Sequence, residues 1–221
     1  MEDIQRGHLV LPDFQRSFIW KPDDVRDLLV SVLGDYYVGS MLYMDAIRDE
    51  APFALRMIEG IEKIVPLPNI DSIVKILLDG QQRTSSLFYA LYAPEIPLSG
   101  RKNPFRFFAH VPSLLSEDWG KSVVFANSGN RRAVTDLETN DDYIALPEFR
   151  DAGTLTPRIL QTKYQSQLAE ILRIVNRFMT YEIQMVHLDR GTSLDRVVET
   201  FERINRTGEP LSVMDLLVAK V

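Results

Sequence analysis

A short apolar run that passes directly into a polar turn constrains this chain more than any other feature. The run is Ile73-Val74-Lys75-Ile76-Leu77-Leu78, and the pair Asp79-Gly80 ends it. Short apolar runs bounded by such residues are typical of buried strands. The spacing of apolar residues then predicts a helix over Gln81 to Tyr92. A buried strand, a tight turn and a helix are therefore expected in succession.

The composition predicts an ordinary globular protein of one large domain, or one domain with a small lobe. The chain has 221 residues, of which 45% are hydrophobic and 25% charged, and no cysteine. The absence of cysteine excludes disulfides, thiolate metal sites, iron–sulfur clusters and cysteine nucleophiles. No apolar run is long enough to span a membrane, and the charged N-terminus does not resemble a signal peptide. A cytoplasmic location is expected.

The net charge of −6 bears on the kinds of partner. A protein that binds DNA mainly by neutralising phosphates needs a positive face. An acidic chain is a poor candidate for strong, sequence-blind DNA binding on its own, although a local basic patch is compatible with this charge.

Other apolar patterns predict a mixture of helices and strands. Pro22 to Leu33 is expected to be a helix, with Gly34 as a left-handed C-terminal cap. Helical spacing returns after Gln161 and again after Ser193. The predicted further strands are Gly39 to Met44, Phe105 to Val111 and Glu182 to Leu188.

Two stretches stand apart from this pattern. Residues 113–156 are rich in Asn, Asp, Gly and Ser and are interpreted as an irregular, family-variable insertion. At the other end, Ser212 with Asp215 predicts the start of a further helix, which has barely two turns before Val221. We interpret the chain as a fragment of a longer protein.

Polar residues at the edges of apolar elements form three clusters. They are Pro12-Asp13-Phe14-Gln15-Arg16, Asp79-Gly80-Gln81-Gln82-Arg83 and Glu202-Arg203-Ile204-Asn205-Arg206-Thr207-Gly208. Taken singly, the first and third are more typical of solvated loops and helix faces. The three together indicate a site if the fold brings them together.

The second cluster has the chemistry of an anion site. Backbone N–H groups at a helix start have no intrahelical partner, and with the helix dipole they favour a negative charge. Gly80 allows close approach, Arg83 offers a planar fork to phosphate, and Asp79 can hold a divalent cation or polarise water. An equally plausible interpretation is a simple strand-to-helix turn, with Asp79 as the N-cap and Arg83 paired to a carboxylate.

Several other kinds of site are not supported. The three histidines lack the spacing of metal ligands, no serine has a nucleophile-elbow pattern, and there is no P-loop. Trp20, Trp119 and the Tyr36-Tyr37 pair are interpreted as core or rim packing.

In their order along the chain, these clusters resemble the N-terminal domain of GmrSD-type restriction enzymes. The matching segments are Leu11-Pro12-Asp13-Phe14-Gln15-Arg16 with Trp20, Val38-Gly39-Ser40, Leu78 to Thr84, and Phe201 to Ser212 with Asp215. The resemblance covers residues from about Gly7 to Val221 and is weakest in the middle.

The resemblance implies a ParB/sulfiredoxin-like α+β fold, in which a small mixed sheet is embedded in helices. Members of this family resemble proteins that bind and hydrolyse nucleoside triphosphates, and several restrict phage DNA that carries modified bases or a phosphorothioate backbone. Full-length members usually continue into an HNH-type nuclease domain. No His-Asn-His constellation is present in this chain, so nuclease activity is not expected from it.

By position, the resemblance assigns hydrolysis to the second cluster. The implied catalytic residues are Asp79, Gln81, Gln82 and Arg83, and the implied nucleotide-binding residues are Gln15, Arg16, Gly80 and Asn205. Asp79 is also the expected ligand of Mg²⁺. The expected partners are a nucleotide, modified DNA and the nuclease domain. Whether the chain forms a homodimer stays open.

Three functions remain to be weighed. The first is an NTP-hydrolysing regulatory domain that senses modified DNA and gates a nuclease. The second is a sensing module that binds a nucleotide or modified DNA without turnover. The third is a directly DNA-binding, nuclease-like role, as in other ParB-fold proteins, and the acidic charge and the lack of a metal-ligand cluster count against it.

Overall fold

In the computed structural model, residues 1–65 and 72–205 are described, and they have an α+β fold. The strands are β1 (Leu9–Pro12), β2 (Met41–Ile47), β3 (Leu55–Arg56), β4 (Ile73–Asp79), β5 (Phe105–His110), β6 (Val123–Asn127), β7 (Tyr143–Ala145) and β8 (Met185–Leu188). The α-helices are α1 (Glu2–Gln5), α2 (Pro22–Leu33), α3 (Gln81–Tyr92), α4 (Val111–Leu115), α5 (Arg131–Thr139), α6 (Ala152–Leu160), α7 (Leu168–Met179) and α8 (Leu194–Asn205).

The chain divides into two compact units, and each is built from separate stretches of sequence. Unit 1 comprises Met1–Phe18, Gly39–Gln81 and Ile183–Val221. Unit 2 comprises Ile19–Val38 and Gln82–Glu182. The boundary after Gln81 falls within α3, so the second polar cluster contributes residues to both units.

Unit 1 contains a five-stranded mixed sheet in the order β3-β1-β4-β2-β8. The central strand β4 runs parallel to β1 and antiparallel to β2, while β2 and β8 are parallel. The apolar side chains of β4 pack in the core of unit 1, which explains the near-continuous apolar run in the sequence of this strand. The core cluster consists of Val10, Leu42, Met44, Ala46, Phe53, Val74, Ile76, Leu78 and Val197.

Lys75 interrupts the apolar run without leaving the strand. Its ammonium lies 2.9 Å from a carboxylate oxygen of Asp3, on α1. The hydrogen bond from Lys75 lowers the pKa of Asp3, and the same bond raises the pKa of Lys75. The lysine therefore faces the surface at a point where the N-terminal helix supplies its counter-charge.

Unit 2 contains a three-stranded antiparallel sheet, β6-β5-β7, with α2 and α4–α7 in the same unit. Its buried residues include Phe108, Ala126 and Val134, which form one cluster between the sheet and α5. On α3, Phe88 and Tyr89 are fully buried. The predicted helix over Gln81 to Tyr92 is confirmed at both ends.

The predicted helix Pro22–Leu33 is also confirmed, but its cap is not. Asp24 accepts a hydrogen bond from the backbone N–H of Lys21 at 2.8 Å, which satisfies one of the donors at the helix start. Gly34 has φ −79° and is not left-handed. The positive φ falls one residue later, on Asp35, at +59°. Asp tolerates this conformation better than most residues, so glycine is not required.

Residues 113–156 are not irregular, contrary to expectation. They contain most of α4, all of β6, α5 and β7, and the start of α6. Several of their polar residues serve as caps: Asn130 accepts from the N–H of Ala133 at 3.2 Å, and Asp151 accepts from the N–H of Gly153 at 2.9 Å. Whether this region varies within the family stays a prediction.

The remaining elements agree with the sequence to within a few residues at their ends. The strand predicted from Gly39 begins at Met41 and runs on to Ile47, and the strand predicted from Glu182 begins at Met185. The helix expected after Ser193 is α8. The helix predicted at Ser212 lies outside the described residues.

Candidate functional site

The turn between β4 and α3 is shaped by Gly80. Its φ is +98°, a conformation that favours glycine over other residues. A Cβ at this position would lie 2.6 Å from Cγ of Met41. The neighbouring strand has a register shift between Leu42 and Tyr43, where Leu42 pairs with Asp79. An irregularity at a strand end is a common way to re-aim a side chain beside a site.

Gln15 lies against the last residues of β4, within unit 1. Its Nε2 donates to the backbone carbonyl oxygens of Leu77, at 3.0 Å, and Leu78, at 2.7 Å. The side chain is 5% exposed. The sequence-predicted Gln15 is therefore held beside the strand that leads into Asp79 and Gly80.

Two buried amide atoms at this turn have no hydrogen-bond partner among residues 1–65 and 72–205. One is Oε1 of Gln15, an acceptor, and the other is Nε2 of Gln81, a donor. Gln81 is the first residue of α3 and is 7% exposed. Buried polar groups are nearly always paired, and leaving one unpaired costs about 1–3 kcal/mol. A polar ligand or an ordered water beside each atom would satisfy it.

Asp79 and the start of α3 add charge and backbone donors to unit 1's part of the site. Asp79 is half-buried, whereas Gly80 is buried. α3 begins at Gln81, so the positive end of its dipole lies at this turn. This turn thus presents a carboxylate, two amides and the positive end of a twelve-residue helix.

Unit 2 holds the other two residues of the second cluster. Oε1 of Gln82 accepts from the backbone N–H of Ile19 at 3.0 Å. One guanidinium nitrogen of Arg83 donates to the carbonyl oxygen of Val38 at 2.9 Å, and Arg83 also lines an open groove of about 540 Å³. Gln82 thus contacts the segment before α2, and Arg83 contacts the segment after it.

Arg16 is exposed, while its backbone is fixed by a residue that the sequence did not indicate. The guanidinium of Arg56 donates to the carbonyl oxygens of Gln15, at 3.1 Å, and Arg16, at 3.2 Å. Arg56 also lies 3.5 Å from Glu59, which accepts from the N–H of Phe18. An isolated Leu-Arg pair gives no sequence signal for this role.

The structure therefore brings some of the predicted residues together within unit 1. Gln15, Asp79, Gly80 and Gln81 form one neighbourhood in unit 1, and Gln82 and Arg83 lie in unit 2. Asn205 is the last residue of α8, and its side chain lies outside the described part of the molecule.

Two oxygen donors of the kind that bind Mg²⁺ belong to unit 1. Among the described residues, no three His, Cys, Asp or Glu side chains lie close enough to hold a metal ion. Mg²⁺ is commonly bound by one or two carboxylates together with water and substrate phosphates. The half-buried carboxylate of Asp79 and the unpartnered Oε1 of Gln15 are oxygen donors of this kind.

Comparison with known proteins gives a family for the whole chain. The model of the GmrSD restriction endonuclease N-terminal domain matches residues 1–221. A protein of Methanocaldococcus jannaschii described as uncharacterized is 31% identical in an alignment of 227 positions that covers 97% of this chain. The chain spans 39% of the length of that relative.

None of the helices in the described part of the chain combines the length and apolar character needed to cross a lipid bilayer. The family match includes all three polar clusters and the turn at Gly80. The chain belongs to the GmrSD restriction endonuclease N-terminal domain family.

Proposed function

We propose that this domain binds and hydrolyses a nucleoside triphosphate, and that it regulates a DNA-restriction enzyme. The observation that carries the proposal is the pair of unpartnered buried atoms, Oε1 of Gln15 and Nε2 of Gln81. Buried polar atoms without a protein partner call for an explanation, and an ordered water, an ion or a ligand is one. Both atoms lie in unit 1 beside the turn that leads into α3, where the helix dipole favours an anionic ligand.

The second cluster supplies the groups that phosphoryl transfer requires. In hydrolysis, a water oxygen bonds to the γ-phosphorus, the bond from that phosphorus to the bridging oxygen breaks, and the nucleoside diphosphate leaves. Positioning and electrostatic stabilisation are the main tasks of a protein in this reaction. The guanidinium of Arg83 would bind the phosphates, and Arg16 is assigned the same role.

The two glutamines would act on the attacking water. Nε2 of Gln81 is a buried donor that can hold water or a phosphate oxygen, and Gln82 follows it in the helix. Gly80 is proposed to contact the nucleotide on the strength of the family motif. Asn205 is proposed to contact the nucleotide on the strength of the family motif alone.

Mg²⁺ is the cofactor we propose, with Asp79 as its carboxylate ligand. When bound to a triphosphate, this ion neutralises phosphate charge. Oε1 of Gln15 would accept a hydrogen bond from a water in its shell or from the nucleotide. Both residues belong to unit 1 and approach the turn from its strand side.

The regulated activity would reside in the rest of a longer protein. Because the chain spans 39% of its M. jannaschii relative, we propose that a further domain, of the HNH nuclease type, follows in the full-length protein. Nucleotide turnover would gate that nuclease when modified DNA is sensed. The net charge of −6 disfavours strong, sequence-blind binding of DNA by this chain alone.

Phosphate release from GTP, ATP, CTP and UTP, with and without Mg²⁺, tests the proposal. We expect Asp79→Asn, Gln81→Ala and Arg83→Ala to lower turnover by roughly 10²–10³. Arg101→Ala, which alters an exposed loop residue, is the matched control and should keep wild-type turnover. Turnover within about threefold of wild type in Arg83→Ala would overturn the catalytic assignment.

Equilibrium binding of the same four nucleotides separates hydrolysis from sensing. Binding without phosphate release, lost in Arg83→Ala, would show a non-catalytic sensing module. Absence of both binding and release, also in the full-length protein with modified DNA, would remove the nucleotide from the proposal.

A further inference from the structure

A groove in unit 2, which we call the α2 groove, shares only Arg83 with the residues assigned a role above. It is lined by Trp20, Asp24, Asp27, Leu28, Ser31, Tyr37, Val38 and Arg83. Its volume of about 540 Å³ is within the usual range for small-molecule pockets, about 300–1,000 Å³. All eight residues belong to unit 2, and Arg83 is also part of the second polar cluster.

Two aromatic rings line the α2 groove, and at least one is not used to build the core. Tyr37 is 71% exposed, an unusual fraction for so large an apolar ring. Trp20 is half-buried. Trp20 agrees with the rim packing expected from the sequence, whereas Tyr37 does not pack in the core. Aromatic faces of this kind are platforms on which nucleobases stack, with about 1–3 kcal/mol per base.

The carboxylates of the groove select against phosphate. Asp24 and Asp27 lie one turn apart on α2, and both are exposed. Oδ2 of Asp24 accepts from the N–H of Lys21, and Asp27 lies 2.8 Å from Arg26. Carboxylates accept N–H and O–H donors and repel anions. The part of a ligand that lies beside them is therefore uncharged and carries donors.

Arg83 gives the groove one positive residue. Its guanidinium is held by the carbonyl oxygen of Val38, itself a lining residue. A planar guanidinium is suited to phosphate oxygens. A ligand with an aromatic, donor-bearing portion and a phosphate portion matches this distribution of rings, carboxylates and cation.

We infer that the α2 groove holds the nucleoside portion of the bound nucleotide. The base stacks against Trp20 and Tyr37, donors of the base or ribose face Asp24, and the phosphates lie towards Arg83. This inference rests on the proposed function, because it assigns the other half of the same ligand.

The first experiment compares each of the four nucleoside triphosphates with inorganic tripolyphosphate, which lacks the nucleoside. We expect Tyr37→Ala to weaken nucleotide binding roughly tenfold and to leave tripolyphosphate binding unchanged. Tyr36→Ala is the matched control, since Tyr36 is 57% exposed and does not line the groove. Arg83→Ala should weaken both ligands.

Tryptophan fluorescence gives a second readout, because the chain has two tryptophans. Nucleotide should quench the emission in Trp119→Phe, which retains Trp20, and should not in Trp20→Phe. Tripolyphosphate should quench neither variant by stacking.

The outcomes distinguish this inference from the proposed function. Nucleotide that binds and is hydrolysed equally well by Tyr37→Ala and Trp20→Phe would overturn the assignment of the groove and leave the proposed function intact. Equal weakening of nucleotide and tripolyphosphate by Tyr37→Ala would also overturn it. Failure of the wild type to bind any of the five ligands, also in the full-length protein with modified DNA, would remove both.

Discussion

The side-chain amide of Gln15 donates to the carbonyl oxygen of Leu78 at 2.7 Å, although the two residues are 63 positions apart in sequence. This bond fastens the loop after β1 to the last residues of the strand that leads into Gly80. It also fixes the rotamer that leaves Oε1 of Gln15 buried at the turn. The Nε2 atom of Gln15 thus has a structural contact, while its Oε1 atom is a buried acceptor without a partner among the described residues.

Replacing Gln15 should affect stability and nucleotide binding together. Gln15→Ala removes the donor to Leu77 and Leu78, and we expect the free energy of unfolding to fall by about 1–3 kcal/mol. Gln15→Glu keeps the shape but places carboxylate oxygens against two carbonyl oxygens, and should be at least as damaging. Urea unfolding and nucleotide titration measure the two effects. Gln165→Ala, at an exposed position, is the control. Wild-type stability in both Gln15 variants would contradict the anchoring role.

Gly80→Ala should destabilise the turn for two separable reasons. The φ of +98° strains any L-residue, and the new Cβ would meet Met41. We expect a loss of about 2–4 kcal/mol in unfolding free energy. Gly100→Ala, with φ +68° and open space, isolates the backbone strain and should cost about 1–2 kcal/mol.

Gly191→Ala completes that series, because Gly191 has neither a strained φ nor a neighbour within 4 Å. Its stability should stay within about 1 kcal/mol of wild type. If Gly80→Ala behaves like Gly191→Ala, the close approach at the turn does not constrain this position.

Tyr89 should make the stability of unit 2 depend on pH above 10. Its hydroxyl donates to the carbonyl oxygen of Ile96 at 2.7 Å and accepts from the N–H of Phe105 at 2.9 Å. Burial raises its pKa from 10.0 to about 12, opposed by the bond from Phe105. Because the folded pKa lies above the unfolded one, the contribution is complete below pH 10 and lost as the pH rises towards 12.

Urea unfolding of wild type and Tyr89→Phe at several pH values between 9 and about 12 tests this dependence. The variant should start about 1–3 kcal/mol less stable, because two buried backbone groups lose their partner. The difference between the two proteins should shrink as the pH rises. A difference that stays constant would refute the titration of Tyr89.

Arg158 should hold together the region that the sequence suggested to be irregular. It forms an ion pair with Glu148 and donates to the carbonyl oxygens of Tyr143, at 2.9 Å, and Glu138, at 3.2 Å. In Arg158→Ala, chymotrypsin should cleave after Tyr143 or Phe149 roughly tenfold faster, as expected for a loss of about 1.4 kcal/mol in local opening. Arg173→Ala, which breaks an exposed pair with Glu170, should cleave at the wild-type rate. Equal rates in all three proteins would contradict this role.

The strand and helix around Gly80 were predictable because their signals are local. Apolar periodicity indicated the strand and the helix, and Asp79-Gly80 indicated the turn between them. Pro22 marked the start of α2 in the same local way. The structure of residues 113–156 was missed because Asn130 and Asp151, which resemble loop residues in sequence, are helix caps. A residue that bonds to the local backbone favours a turn and a helix start alike.

The candidate site was only partly predictable. The motif indicated Gln15 and Gln81, but not which atoms are left unpaired, since the bonds of Gln15 join segments far apart in sequence. Arg56 and the α2 groove gave no sequence signal, because each depends on contacts between distant segments.

The division of the chain also sets an order of events during synthesis. Val197 belongs to the core cluster of unit 1, whose other members all precede residue 79. Residues 82–182 of unit 2 lie between them. The ribosome therefore synthesises all of unit 2 before Val197 is available to complete the core of unit 1. β1, β2 and β4 are made first, and unit 1 is completed only after β8 and α8 have been synthesised. A nascent chain halted before residue 183 would display the β2 edge to any chaperone that binds exposed strands.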